Sequence, residues 1–500
     1  MAPRGISPIK FVVEGSVTLN SKQLRRRAGR LSLVATSALI AAALLGAPAE
    51  AQPPPSSEVN FGAPSLFPKF APGIRDYVVH CNDAPVTVTV HASMGWEVSV
   101  AANPFRSGDF SQVVPLGSGL EFTVAVRDVA RSQLYRYYVR CLPNDFPKYT
   151  FSRYGPVSPK YFSADREARY AIIFDGHGVP MWWYRAQAHD TRVLGNGNVL
   201  WADQSLSSRE WEVHRLDGSL VRTLSAVGTH PNLHDLQFLG NGDYLVDAPR
   251  IQSHVDTSAY GGSSDADVLN AELQEVSATG NLVWNWKSQQ RISLDETGRH
   301  WPSVINNARA GLYDVVHWNS IEPAGGSVIA SFRHLDAVYK IDKTTGNIVW
   351  KLGGTKTSRS LAVSNDPYGY TFGGQHDARL LPDGTLTVFD NRTKLTNATP
   401  RAVRYGIDEQ AGTATLLESI SDPAVTSSSC CGSARRLDNG DWLIDWGPEG
   451  GIGGYKPNGQ RTFRLSFYPA WSYRAEPVPA GAVSAQDLRQ AMNKICSSGC

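Results

Sequence analysis

Two series of glycine turns recur along this chain, and they restrict its fold more than any other feature. One reads LGNGNVL from 194, LGNGDYLV from 239, PAGGSVIA from 323, LPDGTLTV from 381 and LDNGDWLI from 437. The other reads LDGSLVRTL from 216, ATGNLVWNW from 278, TTGNIVWKLG from 344 and PNGQRTFRL from 457, with looser copies FDGHGVPMWW from 174 and EQAGTATLL from 409. Asn-Gly, Asp-Gly and Gly-Gly between apolar runs are hairpin turns, because their positive φ angles match the twist of the flanking strands. Two hairpins per unit make a four-stranded sheet. Units recurring at roughly 45–80 residues predict a β-propeller. Six turns of the looser series against five of the tighter one imply that one sheet takes strands from both ends of the domain, for six blades in all. Trp284, Trp286 and Trp350, in the Val-Trp endings, are expected to pack between blades.

The region before the propeller has a different texture. Runs such as VTVTV at 86–90, WEVSV at 96–100, FTVAV at 122–126 and YRYYV at 135–139 alternate with period two, which predicts a half-buried antiparallel β-sandwich. The expected division is a signal peptide over 1–51, a linker over 52–58, a β-sandwich over 59–160, a catalytic propeller over 161–475 and a tail over 476–500. The signal reading rests on Lys22, Arg25, Arg26, Arg27 and Arg30, an uncharged apolar run from 31 to 46, and the Ala49-Glu50-Ala51 cleavage pattern. That run is short for a membrane span, so export without stable membrane insertion is expected, into a secreted or periplasmic setting. Loss of the segment, with its seven Lys and Arg against two Asp and Glu, moves the formal net charge from +2 to −3. No nucleic-acid partner is suggested. Among the six cysteines, Cys81 and Cys141 read as one bridge, worth about 4 kcal/mol at most in the chain-entropy model. Cys430 and Cys431 either bond each other or reach Cys496 and Cys500 in the tail.

A histidine stands about five residues ahead of four of the turns: His189 in AHDTRVLGNG, His234 in LHDLQFLGNG, His317 in HWNSIEPAGG and His376 in QHDARLLPDG. Residues just before the innermost strand of a blade line the mouth of the central channel, so the four imidazoles are aimed at one place. Arg333 and Asn319 belong to the same hairpin as His317. Guanidinium, amide and imidazole groups on one funnel suit an oxyanion such as sulfate or phosphate, and a neutral imidazole also serves as nucleophile or acid/base. His189 is the member most open to a purely structural explanation. The aspartates that follow His189, His234 and His376 would orient rings or cap turns.

The stretches HWNSIEPAGGSVIASFRHLDAVYKIDKTTGNIVWKLGG at 317–354, GGQHDARLLPDGTLTVFDNRT at 373–393 and HDLQFLGNGDYLV at 234–246 resemble the arylsulfotransferase family, whose bacterial members are exported six-bladed propellers. The resemblance implies transfer of a sulfuryl group from an aryl sulfate donor to a phenolic acceptor, with no nucleotide donor and no cofactor or metal. It implies His376 as the transiently sulfated nucleophile and His317, Asn319 and Arg333 as ligands of the sulfuryl oxygens. It implies that His234 holds those oxygens or protonates the departing phenolate. The cysteine pattern departs from the better-known bacterial members, since Cys430, Cys431 and Gly432 stand where other units have histidine.

Three other readings fit parts of the chain. TTGNIVWKLGG and vicinal cysteines are features of quinoprotein dehydrogenases, but their propellers usually have eight blades. A non-catalytic binding propeller would have little need of the His, Asn and Arg set, and a metal hydrolase or lyase would use the histidines as ligands. Asn391 in NRT and Asn397 in NAT are sequons that read as plain loop residues unless the host glycosylates them.

Overall fold

A computed structural model describes residues 53–166, 169–205, 209–395 and 398–497. The expected export segment lies outside the described residues, as do Asn397 and Cys500. The protein is all-β apart from short helical turns and one C-terminal helix, Ala485–Ser497.

From residue 161 onward the turn series become antiparallel hairpins. Ala188–Val193, Val199–Asp203, Trp211–His214 and Leu220–Leu224 form one four-stranded sheet. Leu236–Phe238, Tyr244–Asp247, Glu272–Val276 and Leu282–Lys287 form the next, and Trp318–Ala324, Ser327–Phe332, Ala337–Asp342 and Ile348–Gly353 the one after. His376–Leu380, Leu386–Asp390, Arg401–Asp408 and Thr413–Ile420 follow, then Ser433–Arg436, Trp442–Asp445, Ile452–Tyr455 and Arg461–Phe467. A sixth sheet combines Tyr161–Arg166, Tyr170–Asp175 and Pro180–Arg185 with Ala475–Pro477, so strands from both ends of this region share one sheet, as the turn count implies. Tyr149–Arg153 adds a further strand on Arg461–Phe467. Tryptophans join neighbouring sheets: Trp284 and Trp286 donate to the Lys343 and Gly346 carbonyls, and Trp350 to Glu409 at 2.9 Å.

The first strands of these sheets gather around one buried cation. Arg474, wholly buried, reaches Asp190 at 3.1 Å and Asp235 at 3.5 Å, has Asp377 at 3.8 Å, and donates to the Asn319 carbonyl at 2.7 Å. Arg192 pairs with Asp190 and Asp235, Arg379 with Asp235 and Asp377, and Arg435 with Asp377. The aspartates of the His-Asp pairs therefore tie strands together, a role that the sequence reading of ring orientation or turn capping did not include. A buried charge is tolerated only when it is paired and hydrogen-bonded, so the pairs fix which strands lie side by side.

Before residue 147 two small sheets face each other. One is Val59–Gly62, Val86–Ala92 and Phe110–Val114; the other is Asp76–His80, Gln133–Leu142, Glu121–Asp128 and Trp96–Val100. Val86–Ala92 alternates strictly between buried and exposed positions, and Phe61 of the first sheet meets Tyr77 and Tyr137 of the second at 5.6 Å between ring centroids. The expectation of purely antiparallel pairing fails at one place: Asp76–His80 runs parallel to Gln133–Leu142. The long intervening chain supplies the crossover that parallel strands need. The Cys81–Cys141 disulfide joins the ends of these two strands. The C-terminal helix staples this part to the rest, with Arg489 on Asp76 at 2.7 Å, Asn493 accepting from Arg140 at 2.7 Å, and Leu488 and Met492 in the core of the sheet holding Trp182 and Trp183.

Candidate active site

Six side chains occupy equivalent places at or just ahead of the six first strands: His189, His234, His317, His376, Cys431 and Tyr473. All but His376 line a single cavity of about 860 Å³. β-bulges fall beside His189, His317 and His376, where the register shifts between residues 189 and 192, 318 and 320, and 376 and 379. Asp190, His317 and Asp377 take positive φ at these bulges, a conformation Asp and His tolerate better than branched residues. Such bulges re-aim side chains at a sheet end. The rings form a row: His189 to His234 is 6.4 Å between centroids, His234 to His317 5.1 Å, His317 to His334 4.8 Å and His334 to His300 5.3 Å. Tyr473 lies against His189 at 3.7 Å.

The hydrogen-bond partners distinguish the imidazoles. At His376 the Nδ1 atom faces two acceptors, the Gly374 carbonyl at 3.0 Å and Asn391 Oδ1 at 2.8 Å. The Asn391 amide cannot be turned over, since its Nδ2 donates to the Cys431 carbonyl at 3.0 Å and to Ser428 at 2.7 Å. Nδ1 therefore carries the proton, and Nε2 has its lone pair, which accepts the Cys431 backbone N–H at 3.2 Å. Burial first, then the Arg333 charge, holds His376 well below the ordinary histidine range. At His234 the same arrangement recurs. Asn232 Oδ1 accepts from the His234 backbone N–H at 3.1 Å and from the ring Nδ1–H, while Asn232 Nδ2 donates to Asp247 at 3.1 Å. Burial, with the charges of His317 and Arg474, pushes His234 down to about 3, and burial raises Asp247 to about 8.

His317 has a carboxylate instead. Its Nδ1 is 2.6 Å from Asp314 Oδ2, and its backbone N–H donates to Oδ1 at 2.9 Å. Burial alone would raise Asp314, but the charge of His317 and its hydrogen bond outweigh it and hold the carboxyl below its usual range. Asp314 arrives from Leu312–Asp314, which pairs in parallel with Ala266–Asn270, an insertion into the sheet of Leu236–Phe238. Asp314, His317 and His334 bring potential metal-ligand atoms within 4.8 Å of one another. Two of their imidazole nitrogens are already engaged, His317 Nδ1 with Asp314 Oδ2 and His334 Nδ1 with the Asp314 carbonyl.

Arg333 lies over the loop that covers His376, donating to the Ser429 carbonyl at 3.0 Å. Asp336 sits behind it, bound by Arg299 and His300 and accepting the Gly374 N–H at 2.6 Å. Asn319 is wholly buried and gives its Nδ2 proton to the Gln375 carbonyl at 2.8 Å, so it braces the backbone next to His376. Cys430 and Cys431 are bonded to each other. Gly432 then has φ +90°, and a Cβ there would meet Phe389 at 2.5 Å and the Asp445 carbonyl at 2.6 Å, so the loop after the disulfide requires glycine. Asn391 is buried against His376; its reading as a plain loop residue is corrected, and a glycan has no room there.

Sequence reasoning aimed His189, His234, His317 and His376 at one funnel with Arg333 and Asn319; the structure brings the first three to the cavity, sets His376 behind the Cys430–Cys431 loop with Arg333 over it and Asn319 beneath, and adds Asn232, Asn391, Asp314, His334 and Tyr473. Asp314 was within reach, three residues ahead of His317. Asn391 was too, because the hairpin pairs His376 with Phe389.

Fold and site together define an all-β protein with an imidazole-lined cavity at the start of its innermost strands. The Arylsulfotransferase (ASST) family model matches residues 147–462, well over half of the chain, and the chain belongs to that family. No match is found among curated proteins. Similar solved structures include a protein of unknown function from Bacteroides caccae, 11% identical, covering 64% of this chain and 99% of that one at a TM-score of 0.40. Another is a quinoprotein alcohol dehydrogenase-like protein from Bacteroides thetaiotaomicron, 10% identical, with 83% and 99% covered at 0.34. A third is a gluconolactonase from Xanthomonas campestris, 11% identical, with 64% and 89% covered at 0.34. These scores are too low to bear on the chemistry. Among the described residues no helix is long and apolar enough to cross a membrane.

Proposed function

We propose that the protein is an exported aryl sulfate sulfotransferase that moves a sulfuryl group from an aryl sulfate to a phenol through a sulfohistidine at His376. The six sheets, four with four strands and two with a fifth at the edge, are then the blades of a propeller, and the two small sheets before residue 147 an accessory sandwich. The single observation that carries the reading is the state of His376: Nδ1 holds the proton, and Nε2 offers its lone pair beside Arg333, one loop away from the cavity.

In the first half-reaction the Nε2–S bond forms as the S–O bond to the aryl group breaks, and the phenolate leaves with the electron pair. Charge develops on the sulfuryl oxygens and the leaving oxygen, as in loose phosphoryl transfer, so fixed cations and an acid stabilise the transition state. Arg333 supplies the cation, and Asn319 acts from behind by holding the backbone at residue 375. The Asp314–His317 pair is the acid, because it lines the cavity and balances an added proton with a carboxylate. His234, held neutral with its Nδ1 proton committed to Asn232, contacts a sulfuryl oxygen only after taking up a proton. In the second half-reaction an acceptor phenol oxygen attacks sulfur, the N–S pair returns to Nε2, and the phenolic proton passes to His317. Donor and acceptor use one pocket in turn, so ping-pong kinetics follow. Entry of the donor must displace the Cys431 N–H from Nε2.

The test is release of a chromogenic phenol from its sulfate ester, with and without a second phenol, by wild type, His376→Ala and His317→Ala. Acceptor-dependent release that both substitutions abolish supports the reading, and no release from any phenolic pair contradicts it. A metal-dependent reading draws on the Asp314, His317 and His334 group, and loss of activity to a chelator would favour it.

A further inference from the structure

Two of the imidazoles at the site, His234 and His376, have an asparagine carbonyl on Nδ1, and His317 has a carboxylate. A carboxylate can take the Nδ1 proton, whereas an amide carbonyl can only accept the hydrogen bond. That difference bears on the intermediate. When Nε2 is sulfated and Nδ1 keeps its proton, the ring carries positive charge and is a good leaving group from sulfur. If Nδ1 gives up the proton, the adduct becomes a neutral N-sulfoimidazole, which transfers its sulfuryl group poorly.

We propose that Asn391 is a positioning residue that keeps the proton on Nδ1 of His376 throughout the cycle, presenting a lone pair at Nε2 before transfer and an activated adduct after it. The inference rests on His376 as the nucleophile. Asn391 is suited to the task because both ends of its amide are fixed: Oδ1 on the ring at 2.8 Å, Nδ2 on the Cys431 carbonyl at 3.0 Å and on Ser428 at 2.7 Å. The same amide thus sets the ring and the loop whose Cys431 N–H covers Nε2. The charged and titratable groups facing His376 are Arg333, His317 and His234. None of them contacts Nδ1, which leaves its proton to Asn391 and the Gly374 carbonyl. Asn232 and His234 repeat the pairing in the cavity lining.

The chemistry separates two substitutions at the same place. Asn391→Ala removes the fixing group, so the ring samples the other tautomer and the first phenol release slows by about 10- to 100-fold, with the KM for donor little changed. Asn391→Asp keeps the geometry but accepts the proton. Phenol release in the first turnover then proceeds as a burst of one equivalent per enzyme, followed by transfer to the acceptor slowed by about tenfold or more. Rapid-quench measurement of both phases on the full chain reads this directly. Equal slowing of both phases in the two variants, or no change in either, would overturn the proposal. Ring-15N histidine spectra of wild type and Asn391→Ala provide a readout independent of turnover. An Nδ1–H tautomer at His376 in wild type, lost in the variant, is the expected result, and an Nε2–H tautomer in wild type would overturn the proposal. If wild type transfers no sulfuryl group, the functional reading fails while the spectra still decide the role of Asn391.

Discussion

The two walls of the cavity hold imidazoles in different ways. On one wall His376 lies buried behind the Cys430–Cys431 loop, with an amide on Nδ1 and a backbone N–H on Nε2. On the other His317 lines the cavity, with a carboxylate on Nδ1 and Nε2 unengaged by Asp314. The same side chain thus has a neutral amide partner on one wall and a carboxylate on the other. In the proposed mechanism that second partner sets the role of each ring.

The contrast can be broken most severely at His376 itself: His376→Ala is expected to lower kcat by about three orders of magnitude or more, as loss of a covalent nucleophile does elsewhere. Asp314→Asn makes the two walls alike by giving His317 an amide partner. It is expected to cost about 10- to 100-fold in kcat, most with donors whose phenols leave poorly, and a plot of rate against leaving-group pKa should become steeper. Cys430→Ser with Cys431→Ser loosens the cover on His376. One hydrogen bond at a net 0.5–1.5 kcal/mol corresponds to about 2- to 12-fold faster modification of His376 by an imidazole-directed reagent, followed by peptide mapping.

A smaller effect concerns pH and stability. His234 has its pKa depressed to about 3 in the folded protein against an ordinary value near 6.5. Between those values the unfolded chain binds the extra proton, so His234 makes the fold less stable as pH falls through that window, by up to about 1.4 kcal/mol per pH unit. Asp247, raised to about 8, works in the opposite direction between 8 and 3.8. The difference between wild type and His234→Gln isolates the histidine contribution, provided Asp247 behaves alike in both. The variant should gain relative stability as pH is lowered from 6.5 toward 3, in denaturant titrations at each pH.

Much of this was legible in the chain. The Gly turns encode local φ requirements, and local signals survive in sequence, so the hairpins fell where the turns predict. The four histidines shared an offset from those turns, and three of them share the cavity with His376 behind its wall. The residues that were missed carry no mark of their own in the chain. Tyr473 belongs to the same ring but precedes a three-residue strand, Ala475–Pro477, that no turn announces. Asn232 and Asn391 look like ordinary polar loop residues, yet Asn232 meets the ring of His234 two residues on and Asn391 comes to His376 through the hairpin. Arg474, the hub on which three aspartates converge, has no local signature at all, because its partners come from three different sheets.

The most direct test is to mix the protein with an aryl sulfate in the absence of acceptor, quench in alkali and map the peptides by mass spectrometry. One sulfuryl group on His376, discharged on adding a phenol and absent from His376→Ala, is the predicted result. Turnover with no adduct on His376, or an adduct on another residue that a phenol discharges, would contradict the account.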